Sequence, residues 1–276
     1  MVTVELLTIG TELVIGLTLN TNAQWLARRL TALGCRITRV VTVRDELGEI
    51  VDAIRDCIKR GVDVVITSGG LGPTEDDKTL KAVSMALNRK LTLNEEALKL
   101  VKACYKRLFE EGAIGTPELT PEREKMALLP EGSKPLENPV GAAPGVLVEA
   151  GEITVICLPG VPKELKAIFE RHLETYFKRR TGNLFSKTLV IETSCNDESS
   201  LARILKDCSK IFPEAYIKSH AEKFDRMEGI PITVTVHGHT QQQVKAMLRK
   251  ITNKICEKLR KKGYRCIKIL DFQQIN

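Results

Sequence analysis

Between residues 4 and 87 the chain alternates short apolar runs with helical patterns, and this alternation limits the possible folds more than any other feature. VELLTIG (4–10), CRITRVVTV (35–43) and VDVVITS (62–68) read as strands. Between them, Trp25, Leu26, Leu30 and Leu33 share one face of a helix over 20–33 that ends at Gly34, and a helix over 46–60 ends at Gly61. Another helix is expected after the glycine loop that follows the third strand. Strands joined in this way form a mostly parallel sheet covered by helices on both faces. Further on, 94–111 reads as a helix capped by Asn94, with Leu98, Val101, Tyr105, Leu108 and Phe109 on one side. PEREKMALL (121–129) reads as a short helix, PEGSKPLENPVGAAPG (130–145) as loop, and GVLVEA and ITVICLPG as strands. VPKELKAIFERHLETYF (161–177) is an amphipathic helix opened by Pro162. The expected fold class is a three-layer α/β/α domain over residues 1–180.

The loop after the third strand, TSGGLGPTEDDKT (67–79), combines three glycines with three successive acidic residues, Glu75, Asp76 and Asp77. Loops at the C-terminal ends of parallel strands are where open α/β sheets bind ligands. Glycines let backbone N–H groups approach a phosphate, and a helix start adds its positive dipole end. Acidic residues in a first helical turn also complement that dipole, which accounts for Glu75 and Asp76 but not for GGLGPT. The loop lacks the G-K-[ST] of a Walker A motif and the spacing of a dinucleotide fingerprint. A divalent ion reconciles carboxylate with phosphate, since Mg²⁺ is commonly held by one or two carboxylates plus substrate phosphates. Successive helical residues point about 100° apart, so Asp76 and Asp77 are expected to do different jobs. Glu12 in GTEL (10–13) and Asp45 in VRDE (43–46) follow the first two strands, and their loops open on the same sheet edge. They are candidate second ligands or bases for water. ENPVGAAPG (137–145) and LPGVPKEL (158–165) are further Gly/Pro loops, read either as part of the cradle or as turn chemistry.

A second unit is expected over 184–276, with strand (188–193), helix (198–211), strands (215–219 and 231–238), helix (241–262) and strand (264–270) in the ferredoxin-like βαββαβ order. Val244, Met247, Leu248, Ile251, Ile255 and Leu259 recur at helical spacing, so the lysines and arginines between them form a solvated face. The net charge of +7 permits nucleic-acid binding, but no aromatics interleave with this basic stretch as stacking platforms, so that partner is not expected.

The eight cysteines stand singly without a C-x-x-C pair, which argues against a zinc site and for buried thiols. A lone disulfide would suit a hyperthermophilic source. The start MVTVELLTIG reads as a first strand, not a signal peptide, and no apolar run nears the ~20 residues a membrane span needs, so a cytoplasmic protein is expected. His237 and His239 lie i, i+2 near a strand end without a third ligand, while His172 and His220 stand alone. No Ser-His-Asp arrangement or nudix box is present.

SGGLGPTEDD resembles the T-G-G-x-G-x-x-x-x-D signature of molybdopterin-binding domains, with Ser68 in place of the usual Thr. Joined by GTELVIGLTLNTNAQWLARRLTALG (10–34), VRDE, NPVGAAPG and LPGVPKEL, it resembles the N-terminal domain of the CinA family of competence/damage-inducible proteins. NDESSLARIL (196–205) and AYIKSHAEK (215–223) resemble that family's following small domain. The resemblance implies a molybdopterin-binding-like fold and a Mg²⁺- or Co²⁺-dependent, K⁺-stimulated ADP-ribose pyrophosphatase yielding AMP and ribose 5-phosphate. It implies Asp77 as the signature aspartate, with Asp45 and Glu12 as its acidic companions at the metal. It further implies substrate contacts at Thr11, Ser68, Gly69, Gly70, Gly72, Pro73, Thr74, Asp76, Asn138, Pro139, Gly141 and Gly160. Val161 and Lys163 depart from LPGPPSE-like versions of the late loop. The deamidase-like domain that often ends such proteins is not expected, and a homodimer is. Two other readings use the same loop and metal: a molybdopterin adenylyl- or molybdenum-transferase of cofactor assembly, and a binding module without catalysis.

Overall fold

The computed structural model describes residues 1–220 and 227–271. The last residues of AYIKSHAEK, 221–223, lie outside the described residues. The chain divides into two compact units, residues 1–31 with 35–180, and residues 32–34 with 181–276.

In the first unit, β1 (Thr3–Ile9) is followed by a single turn, α1 (Thr11–Val14), then α2 (Thr21–Ala32), β2 (Arg36–Val43), α3 (Leu47–Lys59), β3 (Val64–Ser68) and α4 (Thr79–Ala86). Next come β4 (Leu91–Leu93), α5 (Glu95–Glu110), α6 (Pro121–Lys125), β5 (Leu128–Pro130), β6 (Lys134–Leu136), β7 (Gly145–Ala150) and β8 (Ile153–Leu158). The unit closes with α7 (Pro162–Ile168), which runs through a π-turn (Phe169–Leu173) into α8 (Glu174–Arg180). The main sheet has the order β2-β1-β3-β8-β7-β6. Its first four strands are parallel, and β7 is antiparallel to both neighbours.

Period-two alternation along the strands explains why both faces need helices. Leu7, Ile9, Val65, Val155 and Cys157 join one buried cluster with Ile50, Ile54, Val83 and Val101 from the helices. The alternate residues Val4, Leu6, Val64, Ile66, Ile156 and Leu158 are equally buried. On their face the Tyr176 hydroxyl of α8 donates to Thr154 Oγ1 at 3.2 Å. Phe169 stands edge-on to Trp25 at 5.3 Å and stacks on Phe177 at 6.0 Å. The first unit thus has the expected α/β/α layering.

Four details differ from the sequence reading. β4 and β5 form a separate antiparallel pair, so PEREKMALL is helix only to Lys125. β6 lies inside the Pro/Gly-rich stretch. Phe109 is exposed, because α5 packs through Ala97, Leu98, Val101 and Cys104. The helix after the glycine loop begins only at Thr79, so Glu75, Asp76 and Asp77 lie in a turn ahead of it. A short polar side chain that hydrogen-bonds to nearby backbone offers the chain an alternative to helix, and Asp77 does so with Thr74.

Glu5 is buried in the middle of β1, where Arg60 grips both its carboxylate oxygens at 2.9 and 2.6 Å. Burial pulls the Glu5 carboxyl upward, but the Arg60 hydrogen bonds and charge outweigh it and hold it below the usual range. The pair's contribution is complete above the pKa of an unfolded glutamate and is lost as pH falls through the lowered folded value. Glu5→Gln, which leaves Arg60 without its counter-charge, is expected to cost about 3 kcal/mol. It should also flatten the acid limb of a stability–pH curve measured by urea unfolding.

The second unit contains β9 (Phe185–Thr193), α9 (Glu198–Ile211), β10 (Tyr216–Ser219), β11 (Ile232–Gly238), α10 (Gln241–Lys261) and β12 (Cys266–Asp271). Its antiparallel sheet has the order β10-β11-β9-β12, the ferredoxin-like arrangement. α10 starts at a Thr240–Gln243 capping box and buries Val244, Leu248, Ile251, Ile255 and Leu259. Cys256 and Cys266 form a disulfide, and the other six cysteines are free and buried. Burial pushes the thiols of Cys35, Cys57 and Cys157 up to about 12, so these three are not nucleophiles.

Candidate functional site

The C-terminal ends of β1, β3 and β8 meet at one point, Gly69. Its N–H donates to the Leu158 carbonyl at 3.0 Å. Its φ is +113°, and a Cβ there would lie 2.2 Å from the Ile9 carbonyl oxygen. Gly160 packs against it, its own Cβ position being 3.5 Å from Gly69 Cα. Gly70 also has positive φ, and a Cβ would meet Thr79 Oγ1 at 2.3 Å. Thr79 holds the turn closed, donating from Oγ1 to the Gly69 carbonyl at 2.8 Å and from N to the Gly70 carbonyl at 3.2 Å.

The acidic candidates stand on the loops after β1, β2 and β3. Asp77 Oδ2 accepts from Thr74 N at 2.9 Å and Thr74 Oγ1 at 2.6 Å. It lies where a side chain at Gly72 would be, 2.7 Å from the ideal Cβ. Asp45 Oδ2 accepts from Thr11 N at 2.7 Å and Thr11 Oγ1 at 3.0 Å, which ties the loop after β2 to the loop after β1. Glu12 is exposed and folds back over Gly10. Glu75 and Asp76 are exposed, and Pro73 is half-buried.

Among the described residues no three His, Cys, Asp or Glu side chains form a ready-made metal cage. The expected grouping of Glu12, Asp45 and Asp77 is therefore not preformed, because the two aspartates are turned toward N–H and hydroxyl donors of their own edge. The donor set nonetheless fits a hard divalent ion. Each aspartate is fixed through one oxygen, and Mg²⁺ takes one or two carboxylates plus substrate oxygens.

The late loop is organised by Asn138. Its Oδ1 accepts from Val140 N at 3.1 Å and Gly141 N at 2.9 Å, and its Nδ2 donates to Ala143 O at 2.9 Å and Glu164 Oε2 at 2.6 Å. Glu164 fills the space beside Gly141, where a Cβ would come 2.3 Å from its carboxyl carbon. Burial pushes the Glu164 carboxyl above its usual range against the opposing pull of Asn138. The Pro139 carbonyl accepts from Arg107 at 3.2 Å. The late loop is thereby tied to α5 through Arg107 and to α7 through Glu164.

Three residues escaped the sequence reading. Asn22, on the first turn of α2, donates to Ser68 Oγ at 3.0 Å and to the Gly160 carbonyl at 2.7 Å, joining three loops. Its Oδ1 is buried without a hydrogen-bond partner. Glu164 positions Asn138. Lys78 reaches the Asp45 carbonyl at 3.1 Å. An asparagine just inside a helix start was the available signal for Asn22; the partners of the other two are fixed only by the fold.

Residues 5–179 match the family described as "Probable molybdopterin binding domain". The chain belongs to this family. It is 42% identical to a protein of Pyrobaculum arsenaticum over 258 residues, covering 92% of this chain and 94% of that one. It is 40% identical to a protein of Pyrobaculum aerophilum, covering 93% and 94% respectively. A crystal structure of the protein CinA, of unknown function, from Thermoplasma acidophilum superposes with a TM-score of 0.57 at 38% identity. That match covers 63% of this chain and 98% of the other. The first unit is thus CinA-like in sequence and in fold. No helix among the described residues is long and apolar enough to cross a membrane.

Proposed function

We propose that this protein is a metal-dependent nucleotide pyrophosphatase that hydrolyses ADP-ribose to AMP and ribose 5-phosphate. One observation carries the reading: a glycine-built turn at the meeting of three strand ends is edged by Asp77, with Asp45 on the neighbouring loop after β2, and each carboxylate is fixed by paired donors. Gly69 N–H is taken by Leu158 and Thr74 N–H by Asp77, and among the described residues the N–H groups of Gly70, Leu71 and Gly72 have no hydrogen-bond acceptor, so these are the ones proposed to meet an anion. Those donors would hold the diphosphate and favour negative charge as it develops. A divalent ion at Asp77, with Asp45 or Glu12, would neutralise the leaving phosphate and lower the pKa of an attacking water. Thr74 and Thr11 hold the two aspartates in place. Asn138 and Glu164 set the late loop, which would receive one end of the substrate.

The family match favours a second reading, in which the same cradle takes a pterin and the chain transfers an adenylyl group or molybdenum. Incubation of the purified protein with ADP-ribose and K⁺, with Mg²⁺, Co²⁺ or EDTA, separates the two. AMP formed with either metal and absent in EDTA is the expected result. No AMP with any metal, together with molybdopterin binding, would replace the hydrolase with the pterin reading, and tight binding without turnover would leave a binding module.

A further inference from the structure

The site carries more negative charge than its fixed carboxylates can account for to a phosphate's benefit. Glu12, Asp45, Glu75, Asp76 and Asp77 all belong to its loops. Two ammonium groups stand among them. Lys78 Nζ donates to the Asp45 carbonyl at 3.1 Å, on the loop after β2. Lys125 Nζ, from the end of α6, donates to the Thr74 carbonyl, on the glycine loop itself. Lys78 lies 4.0 Å from Asp76, whose side chain is 86% exposed, a separation and exposure at which an ion pair contributes little. Among the described residues Lys125 makes no ion pair, so neither lysine is held by a tight one. Each is anchored on a main-chain oxygen, although ordering a long lysine side chain costs entropy. An ammonium has three donors, and one carbonyl uses one of them.

We propose that Lys78 and Lys125 clamp the diphosphate of the substrate from two sides of the glycine loop, so that diphosphate binding does not require the divalent ion and only turnover does. The inference rests on the pyrophosphatase reading for the place of the diphosphate, and it deepens that reading by dividing the work. The lysines offset the repulsion of the acidic run during binding, as point charges that suit phosphate. The carboxylates are then left to the chemical step.

The test is calorimetric titration of the full chain with inorganic pyrophosphate in EDTA, for the wild type, Lys78→Met, Lys125→Met, the double variant and Lys78→Arg. The wild type should bind without metal. Each Met variant should bind about tenfold more weakly, and the double variant about a hundredfold, at unchanged melting temperature. Lys78→Arg should retain binding to within about threefold, because it keeps the charge. A double variant that binds as the wild type does, or a wild type that binds pyrophosphate only after Mg²⁺ is added, would overturn the clamp. Lysine-dependent binding without ADP-ribose turnover would uphold the clamp and remove the hydrolase. Turnover indifferent to both lysines would do the reverse.

Discussion

Replacing Gly69 with alanine should lower the melting temperature of the first unit by about 10 °C and abolish pyrophosphate binding, the former following from a loss of about 3–4 kcal/mol. Two penalties coincide at this residue. The backbone has a φ of +113°, which L-residues rarely adopt, and the added Cβ would sit 2.2 Å from the Ile9 carbonyl oxygen. The obstacle is backbone on a central strand, so no side-chain rotation relieves it. Gly151 supplies the control, because it has a φ of +64° and nothing within 4 Å of its Cβ position. Gly151→Ala should cost only the conformational part, about 1 kcal/mol. Equal losses from the two substitutions would mean that β1 yields easily and that the Ile9 carbonyl does not confine Gly69.

The second large effect is chemical. Asp77→Asn should reduce ADP-ribose turnover by roughly a thousandfold, in line with the loss of one charged group that stabilises a transition state. Stability should hardly change. The substitution keeps the size of the side chain and an oxygen that can still accept from Thr74 N and Oγ1, now at 2.9 and 2.6 Å. A melting temperature within about 3 °C of wild type would show that the turn survives. Turnover is followed by chromatographic detection of AMP at saturating metal. Unchanged turnover in a folded variant would remove Asp77 from the chemistry, while collapse of the fold would make it a structural cap.

Much of this architecture is legible in the residues. The runs around Leu7, Val65 and Val155 are long, apolar and β-branched, and glycines such as Gly61 mark helix ends. The signature from Ser68 to Asp77 could be recognised because its glycines and aspartate act within a single loop. What escaped has a common physical cause. Leu91–Leu93 and Leu128–Pro130 are too short to show a period and become strands only by pairing with each other. Asn22 acquires its role from Gly160, 138 residues away, and no local pattern encodes that contact. Asp77 resembled a helical residue because the competition between helix and a Thr74-bonded turn is decided by geometry, not by composition. The carboxylates of Glu12 and Asp45 were placed on the correct edge by topology alone, but their orientation depends on Thr11 and Gly10.

The meeting of Ile9, Gly69 and Leu158 has a kinetic meaning as well. These residues are far apart along the chain, and contacts between distant segments form only after the loop-closure cost has been met. The glycine turn therefore cannot close in a chain that lacks β8. Any anion it binds acts only on the finished unit, so occupancy draws the folding equilibrium toward completion in proportion to ligand concentration. A ligand held at this turn would thus stabilise only molecules that have closed all three strand ends.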